Sequence, residues 1–217
     1  MVRVKICGLT RVEDVKTAYE AGADMIGVIV NAKVPTPRNL DYDEARKILE
    51  QTPSGIEKVV VGMPGDLSEG LEIIEELDPD YLQMHSYPSL SEVGELKDIT
   101  GKKLIITVSI PRKSLDSAKL IVRAEEVAEV SDFILLDTEG PGGGETGKTH
   151  DWTASRKIRD ALETPVFLAG GLNPSNVREA IEKVQPYGVD VASGIEAEPG
   201  IKDPEKVKAF VKASKES

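Results

Sequence analysis

Two side chains suited to proton transfer stand at the ends of apolar segments. Cys7 closes the segment VRVKIC, and Asp137 lies near the end of FILLDT. Lys5 is two residues before Cys7, so their side chains share a face if this segment is a strand. A nearby ammonium lowers the pKa of a thiol, which would suit Cys7 to general-base chemistry. The alternatives are a small buried hydrophobic role for Cys7 and a turn-capping role for Asp137.

Two glycine-containing stretches indicate phosphate binding. AGGLNPSN begins at residue 169 and ASGIEAEPGIKD at residue 192, each at the end of an apolar segment. Glycines let backbone N–H groups approach an anion, and the N-terminus of the following helix adds a favourable partial charge. A tight turn is the alternative for either stretch alone, but the two together favour a phosphate site.

The string GGGETGKT at 142–149 matches the P-loop pattern of nucleotide hydrolases letter by letter. A P-loop needs a strand that leads directly into the glycines and a helix that begins at the Lys-Thr pair. Here EGP intervenes, and His150-Asp151-Trp152 follows where the helix should already be running. We therefore interpret the string as a glycine-rich loop beside Asp137 that closes over a substrate.

Three other residues are candidates for a role in the site. Arg38 lies in the turn TPRN, where a solvated loop charge is the alternative to a binding role. The two histidines are His85, which could be a base or a buried interior residue, and His150, which lies in the glycine-rich loop. Because the sequence has no cluster of Cys, His and acidic residues, we predict no metal site.

Composition limits the class of protein. The 217 residues carry a net charge of −11, which argues against nucleic-acid binding. A single cysteine permits no internal disulfide and fits a reducing compartment. No signal-peptide pattern and no apolar run of about 18 residues is present, so we expect no membrane segment and a cytoplasmic location.

Eight short apolar segments alternate with eight amphipathic segments along the chain. The apolar segments start at residues 2, 25, 58, 81, 104, 133, 166 and 189. Their spacing fits one strand, one helix and two short loops in each repeat. The alternation predicts an α/β fold, a (β/α)8 TIM barrel, with 1–217 as a single domain. An open doubly wound sheet is the alternative.

Two Asx-Pro pairs predict the beginnings of helices. Asn173 precedes Pro174, and Asp203 precedes Pro204. Each pair places a capping side chain before a proline at the first helical position.

Polar residues interrupt the apolar segments at alternate positions. The pairs are Lys5 and Cys7, Gln83 and His85, and Thr107 and Ser109. Residues two apart share a face of a strand, so the apolar neighbours of each pair point the other way, towards the helices. These neighbours include Val4, Ile6, Leu82 and Met84. The polar set then faces the barrel interior near the C-terminal strand ends, where this fold builds its active sites.

The motifs, taken together and in order, resemble those of phosphoribosylanthranilate isomerases. They are VKICGLTRVEDVKTAYEAGAD, the Pro-Arg turn at 37–38, LQMH, FILLDT, GGGETGKTHDW, LAGGLNPSNV and VDVASGIEAEPGIKD. The likeness covers essentially the whole chain. It implies a cytosolic isomerase of tryptophan biosynthesis that converts N-(5-phosphoribosyl)anthranilate to 1-(2-carboxyphenylamino)-1-deoxyribulose 5-phosphate by an Amadori rearrangement. No redox cofactor or metal is required for that reaction.

The resemblance also implies roles for single residues. Cys7 in KICG corresponds to the general base, and Asp137 in LLDT to the general acid, for which we expect a raised pKa. Arg38 corresponds to the arginine that binds near the anthranilate carboxylate. The residues expected to hold the phosphate are Gly170, Gly171, Ser193 and Gly194. We also predict substrate contacts for Gln83, His85 and Asp190.

Several positions depart from the family pattern. Thr36 stands where serine is common, Ser86 replaces a glycine, and His150 occupies a position where Phe is usual. The loss of the glycine puts the role of His85 in doubt. None of the departures affects Cys7 or Asp137.

Two other functions are compatible with a phosphate-binding barrel. A phosphosugar isomerase of histidine biosynthesis runs a similar Amadori reaction, but it would have an aspartate as base on its first strand, where this chain has Cys7. A non-catalytic phosphate-binding barrel would bind a substrate analogue without isomerising it. For the phosphoribosylanthranilate isomerase that the motifs resemble, we expect a small phosphorylated sugar-anthranilate substrate, no nucleic acid, no membrane, and a monomer or homodimer.

Overall fold

Eight parallel strands form a closed ring in the computed structural model, which describes residues 1–112, 117–139 and 149–216. In chain order they are β1 (Arg3–Ile6), β2 (Met25–Val30), β3 (Glu57–Gly62), β4 (Tyr81–Met84), β5 (Lys103–Ile110), β6 (Phe133–Thr138), β7 (Val166–Leu168) and β8 (Gly188–Val191). Each strand pairs with its neighbours in the chain, and β8 pairs with β1. The ring has no open edge, so the prediction of a (β/α)8 barrel is confirmed and the open sheet is wrong.

A helix follows each strand and covers the outside of the ring. The helices are α1 (Val12–Ala21), α2 (Tyr42–Glu50), α3 (Leu67–Leu77), α4 (Leu90–Thr100), α5 (Ser117–Ala128), α6 (Trp152–Ala161), α7 (Val177–Val184) and α8 (Pro204–Lys215). Two additions lie at the C-terminal end of the ring. Asn39–Leu40 pairs with the end of β2, and a hairpin of Glu196–Glu198 with Ile201–Lys202 follows β8.

Of the two helix starts predicted from the Asx-Pro pairs, one is confirmed and the other is wrong. Asp203 caps α8 as predicted, because its carboxylate accepts the backbone N–H groups of Glu205 and Lys206. The prediction for Asn173 is wrong, since α7 begins only at Val177. The Asn173 side chain instead accepts the N–H of the nearby Ser175 and stabilises a turn before the helix.

Strand side chains separate into two apolar layers. The outer layer packs between the ring and the helices, and it contains the residues predicted to point there: Val4, Ile6, Leu82 and Met84. The inner layer fills the barrel, and its members include Cys7, Met25, Val59, Tyr81, Ile105, Leu135 and Phe167. The alternation of strand residues therefore has the direction that the sequence predicted.

Aromatic rings close the N-terminal end of the barrel interior. The ring of Phe133 lies 5.8 Å from Phe167 and 5.7 Å from Tyr81, measured between centroids. Gly188 begins β8 beside them. A Cβ atom on Gly188 would lie 2.2 Å from Cε1 of Phe167, so the ring occupies the space that a side chain would need.

Two further predictions concern the glycine-rich string and the division of the chain into domains. Of the string at 142–149, residues 142–148 lie outside the described residues, so the interpretation as a closing loop stays a prediction. That 1–217 is one domain also stays a prediction. Among the helices described, none is long and apolar enough to cross a membrane.

We predict that Gly188→Ala destabilises the protein by roughly 1–3 kcal/mol, because the new methyl group overpacks against Phe167. Urea unfolding measures the change. Gly94→Ala in α4 is the matched control: its Cβ would meet only Val130 Cγ1 at 3.5 Å. This control should be more stable by roughly 0.5–1 kcal/mol, the helix propensity difference. Equal stability of Gly188→Ala and the wild type would contradict the packing argument.

Candidate active site

A pocket opens at the C-terminal ends of the strands, and the empty space in it and in the solvent at its mouth is about 790 Å³. Most of the predicted site residues line it together, although they come from six different strand ends or loops. They are Cys7, Arg38, His85, Asp137, Gly170, Gly171, Asp190, Ser193 and Gly194. The location is the one that the polar alternation of the strands predicted.

Gln83 is the predicted site residue that does not line this pocket. Its side chain is fully buried below the pocket, in the barrel interior. Within the described part of the chain, neither of its amide atoms has a hydrogen-bond partner, and the hydroxyl of the buried Thr107 has none either. The polar interior therefore extends below the pocket, and substrate contact by Gln83 stays a prediction.

A buried ion pair joins the first and last strands beneath the pocket. Lys5 of β1 lies beside Asp190 of β8 in the parallel register. Its Nζ donates to Oδ1 of Asp190 at 2.9 Å, and Lys5 is only 1% exposed. Burial by itself lowers the pKa of Lys5, but the charges of Asp190 and Cys7 outweigh it and raise the pKa. Lys5 therefore carries its positive charge inside the barrel.

Cys7 is buried next to this ion pair. Burial raises the pKa of its thiol above the ordinary value of 9.0, and Asp190 raises it further, while Lys5 opposes both. The predicted lowering of this pKa is therefore wrong in net direction, because desolvation of the thiolate outweighs attraction by Lys5. Gly27 of β2 makes room here, since a Cβ atom on it would lie 3.0 Å from the Cys7 Sγ and 3.2 Å from the Lys5 Cε.

Asp137 faces the same pocket from the end of β6. Burial and repulsion from Asp190 raise the pKa of its carboxyl to about 7, although the backbone N–H of Thr138 and the charge of Lys5 oppose the rise. The Thr138 N–H donates to Oδ1 of Asp137 at 2.7 Å. The expected raised pKa is confirmed. Because this pKa is close to neutral, a large fraction of the Asp137 carboxyl groups is protonated near pH 7 and can donate the proton.

His85 is an uncharged lining residue. Burial and repulsion from Lys5 lower its pKa to about 4. Near neutral pH its imidazole can therefore donate one hydrogen bond and accept another, but it adds no charge to the pocket.

Arg38 is buried at the rim of the pocket, so the alternative of a solvated loop charge is wrong. Its Nε donates to Oε1 of Glu196 at 2.7 Å, and its Nη2 donates to Oε2 at 2.6 Å. Burial by itself raises the pKa of Glu196, but the hydrogen bonds from Arg38 and the charge of Lys202 outweigh it and lower the pKa. A guanidinium held in this way is a fixed cationic group beside the pocket.

The two predicted phosphate loops meet at the wall of the pocket. Gly194 lies in the turn after β8, and a Cβ atom on it would lie 1.9 Å from the carbonyl oxygen of Leu172 in the loop after β7. Gly170 has a φ of 84°, a backbone conformation that favours glycine. Ser193 adds a hydroxyl donor at the start of the short 3₁₀ helix Ser193–Ile195. This concave backbone can donate hydrogen bonds to an anion.

Sequence reasoning missed some residues that surround the site. It did not identify Glu196 and Lys202, although both lie in ASGIEAEPGIKD, because Arg38, the side chain that Glu196 holds, lies 158 positions away in the chain. His150 is buried: its Nδ1 lies 2.8 Å from the hydroxyl of Thr138 and its Nε2 2.6 Å from the hydroxyl of Ser155. It thus connects the residue next to Asp137 with α6. Among the described residues, no group of three or more His, Cys, Asp or Glu could hold a metal ion.

Known proteins resemble this chain over its full length. The family model of N-(5'-phosphoribosyl)anthranilate isomerase matches residues 4–213. The enzyme of that name from Methanopyrus kandleri is 42% identical over 220 residues, which cover 99% of each chain. The crystal structure of phosphoribosylanthranilate isomerase from Thermotoga maritima is 34% identical, with a TM-score of 0.87 and full coverage of both chains.

A further solved structure carries a ligand. It is a phosphoribosylanthranilate isomerase in complex with reduced 1-(o-carboxyphenylamino)-1-deoxyribulose 5-phosphate, 32% identical to this chain, with a TM-score of 0.84 and full coverage of both chains. Sequence and fold agree in every one of these comparisons. The chain therefore belongs to the N-(5'-phosphoribosyl)anthranilate isomerase family and is an aldose–ketose isomerase of tryptophan biosynthesis.

Proposed function

We propose that the chain isomerises N-(5'-phosphoribosyl)anthranilate to 1-(2-carboxyphenylamino)-1-deoxyribulose 5-phosphate, with Asp137 as general acid and Cys7 as general base. The observation that carries this proposal is the placement of Asp137, whose pKa is about 7, and Cys7 in the lining of one pocket. The reaction needs a proton donor at one atom of the sugar and a proton acceptor at a neighbouring carbon. Family membership supplies the substrate.

The first step is acid-catalysed ring opening. Asp137 donates its proton to the ring oxygen of the ribose, the bond from that oxygen to C1′ breaks, and the lone pair of the anthranilate nitrogen forms a C1′=N double bond. The product is a protonated Schiff base, and Asp137 becomes a carboxylate. Its burial favours the protonated carboxyl before reaction, and the charge of Lys5 limits the cost of the carboxylate afterwards.

The second step is proton removal at C2′. The thiolate of Cys7 takes this proton, and the electron pair of the C–H bond forms a C1′=C2′ double bond while the nitrogen regains its lone pair. The resulting enolamine takes a proton at C1′ while its 2′-hydroxyl loses one, and the electron pair of the O–H bond completes the C2′=O double bond of the ketone. The charge of Lys5 favours the thiolate, whereas burial and Asp190 oppose it.

Two sets of binding groups in the lining of the pocket would fix the two ends of the substrate. We assign the phosphate to the backbone and hydroxyl donors of Gly170, Gly171, Ser193 and Gly194. We assign the anthranilate carboxylate to Arg38. Binding energy at these remote groups would orient the sugar between the acid and the base. Roles for His85 and Asp190 as substrate contacts, the cytoplasmic location, and a monomer or homodimer stay predictions.

Turnover by the purified wild-type chain tests the proposed function. The loss of phosphoribosylanthranilate fluorescence reports the reaction. The histidine-pathway phosphosugar, offered separately, tests the other enzyme. Turnover of that compound alone, or binding of a product analogue without turnover, would refute the proposal.

We predict that Cys7→Ser and Asp137→Asn each lower kcat by about 100-fold or more, the usual contribution of a general acid or base. The same fluorescence assay measures the change. Asp132→Asn is the matched control: this aspartate precedes the same strand as Asp137, and its carboxylate accepts the N–H of Leu104 at the far end of the barrel. Its kcat should stay near the wild-type value. A near-normal kcat in Cys7→Ser or Asp137→Asn would remove that residue from the mechanism.

We predict that kcat/KM rises with pH up to about 7, the pKa of Asp137, and then stays level until the raised pKa of Cys7. The active form combines protonated Asp137 with ionised Cys7. Because the acid has the lower pKa, this form is a minor species whose fraction is level between the two pKa values and falls above both. Rates between pH 5 and 10 measure the profile. A decrease through about pH 7 would contradict this pair of assignments.

We predict that Ser193→Ala raises KM by about tenfold with little change in kcat, because one hydrogen bond to a charged phosphate is lost. Steady-state kinetics measure both constants. Ser175→Ala is the control, since the Ser175 hydroxyl donates to the side chain of Asn173. An unchanged KM in Ser193→Ala would place the phosphate elsewhere.

A further inference from the structure

The arginine at the pocket rim is held by a second element of the structure. The hairpin of Glu196–Glu198 and Ile201–Lys202 lies against the turn that carries Arg38. Glu196 occupies the Nε–Nη2 edge of the guanidinium through two hydrogen bonds of 2.7 and 2.6 Å. Both side chains are 6% exposed. This two-point contact fixes the plane of the guanidinium as well as its position.

The carboxylate of Glu196 is itself fixed from the other side. Lys202 is fully buried, and its Nζ donates to Oε1 of Glu196 at 2.8 Å and to the carbonyl oxygen of Ala192 at 3.1 Å. Lys206 donates to the carbonyl oxygen of Glu196 at 2.7 Å. Neither the backbone nor the side chain of Glu196 can move without breaking contacts to a second cation. The carboxylate is therefore a rigid support for Arg38.

The aliphatic part of Arg38 is fixed as well. A Cβ atom on Gly8 would lie 2.5 Å from Cδ of Arg38, so the arginine stem passes directly over the backbone that follows Cys7. Thr10 donates to the carbonyl oxygen of Gly200 at 2.7 Å and ties the hairpin to the same loop. The hairpin, the loop after β1 and the arginine turn thus form one packed unit beside the pocket.

We propose that Glu196 is a positioning residue that sets the orientation of Arg38 towards the carboxylate of the substrate and so makes the enzyme selective for a carboxylated aromatic amine. Glu196 fixes the Nε–Nη2 edge, and Nη1 donates to the hydroxyl of Thr36 at 3.5 Å at the pocket wall, so the orientation of the whole guanidinium beside the pocket depends on Glu196. The inference rests on the proposed function, since it assigns the carboxylate end of that same substrate to Arg38.

The test compares two substrates that differ only in the carboxylate: N-(5'-phosphoribosyl)anthranilate and N-(5'-phosphoribosyl)aniline. In Glu196→Gln, KM for the anthranilate compound should rise by about tenfold or more, because the charge-assisted hold on Arg38 is lost, and kcat should change less. KM for the aniline compound should stay within about twofold, because it has no group for Arg38 to bind. Glu198→Gln is the matched control, since Glu198 lies exposed in the same hairpin. It should resemble the wild type with both substrates.

An equal loss of kcat/KM with both substrates would overturn the inference and make Glu196 a support of the fold only. If Glu196→Gln does not fold, Glu196→Asp keeps the charge but is too short for the same two-point contact, and it should show the same dependence on the carboxylate. In an Arg38→Lys background, Glu196→Gln should add little to the KM for the anthranilate compound. A full additional rise there would also overturn the inference. Absence of wild-type turnover would instead refute the proposed function, so the two failures are distinguishable.

Discussion

The buried pair of Lys5 and Asp190 is the interaction on which the rest of the site depends. Removing two charges from water is expensive, and the cost is offset only because the parallel register of β1 and β8 brings the two groups to 2.9 Å. The pair places opposite charges beneath Cys7 and Asp137. Lys5 favours the ionised form of both groups, and Asp190 opposes it in both. One contact between strands therefore influences the proton affinity of the proposed base and of the proposed acid.

The raised pKa of Asp137 makes the site costly for the fold. A rise from 3.8 to about 7 corresponds to roughly 4 kcal/mol against the ionised carboxyl in the native state. The native state binds this proton more tightly than the unfolded chain, so the contribution of Asp137 to stability decreases as pH rises from about 4 to 7 and is lowest above that range. The apolar layers of the barrel must compensate for this group. The same carboxyl that suits the pocket to proton transfer therefore lowers the stability of the native state near neutral pH.

The charged groups at the rim of the pocket have a different role from the charged groups at its floor. Glu196 accepts from Arg38 and Lys202 together, so one carboxylate organises two buried cations. At the floor, Lys5 is shared among groups that titrate. The rim network holds a side chain in one orientation, whereas the floor network adjusts proton affinities. Both are completed by β8 or by the hairpin that follows it, so the last repeat of the chain finishes a site that the first repeat begins.

The sequence by itself determined the repeat, the direction of the strand side chains and the end of the barrel where the site lies. These follow from local periodicity, because each strand and helix records in its own residues which face is covered. The raised pKa of Asp137 was also predictable, once the chemistry of the resembling family was considered. Tertiary structure alone decided the net shift of the Cys7 pKa, the partner of Lys5, and the burial of Arg38 against Glu196. The last two depend on residues more than 150 positions apart. The first depends mainly on desolvation, which is a property of the whole packed barrel and which no local pattern of residues records.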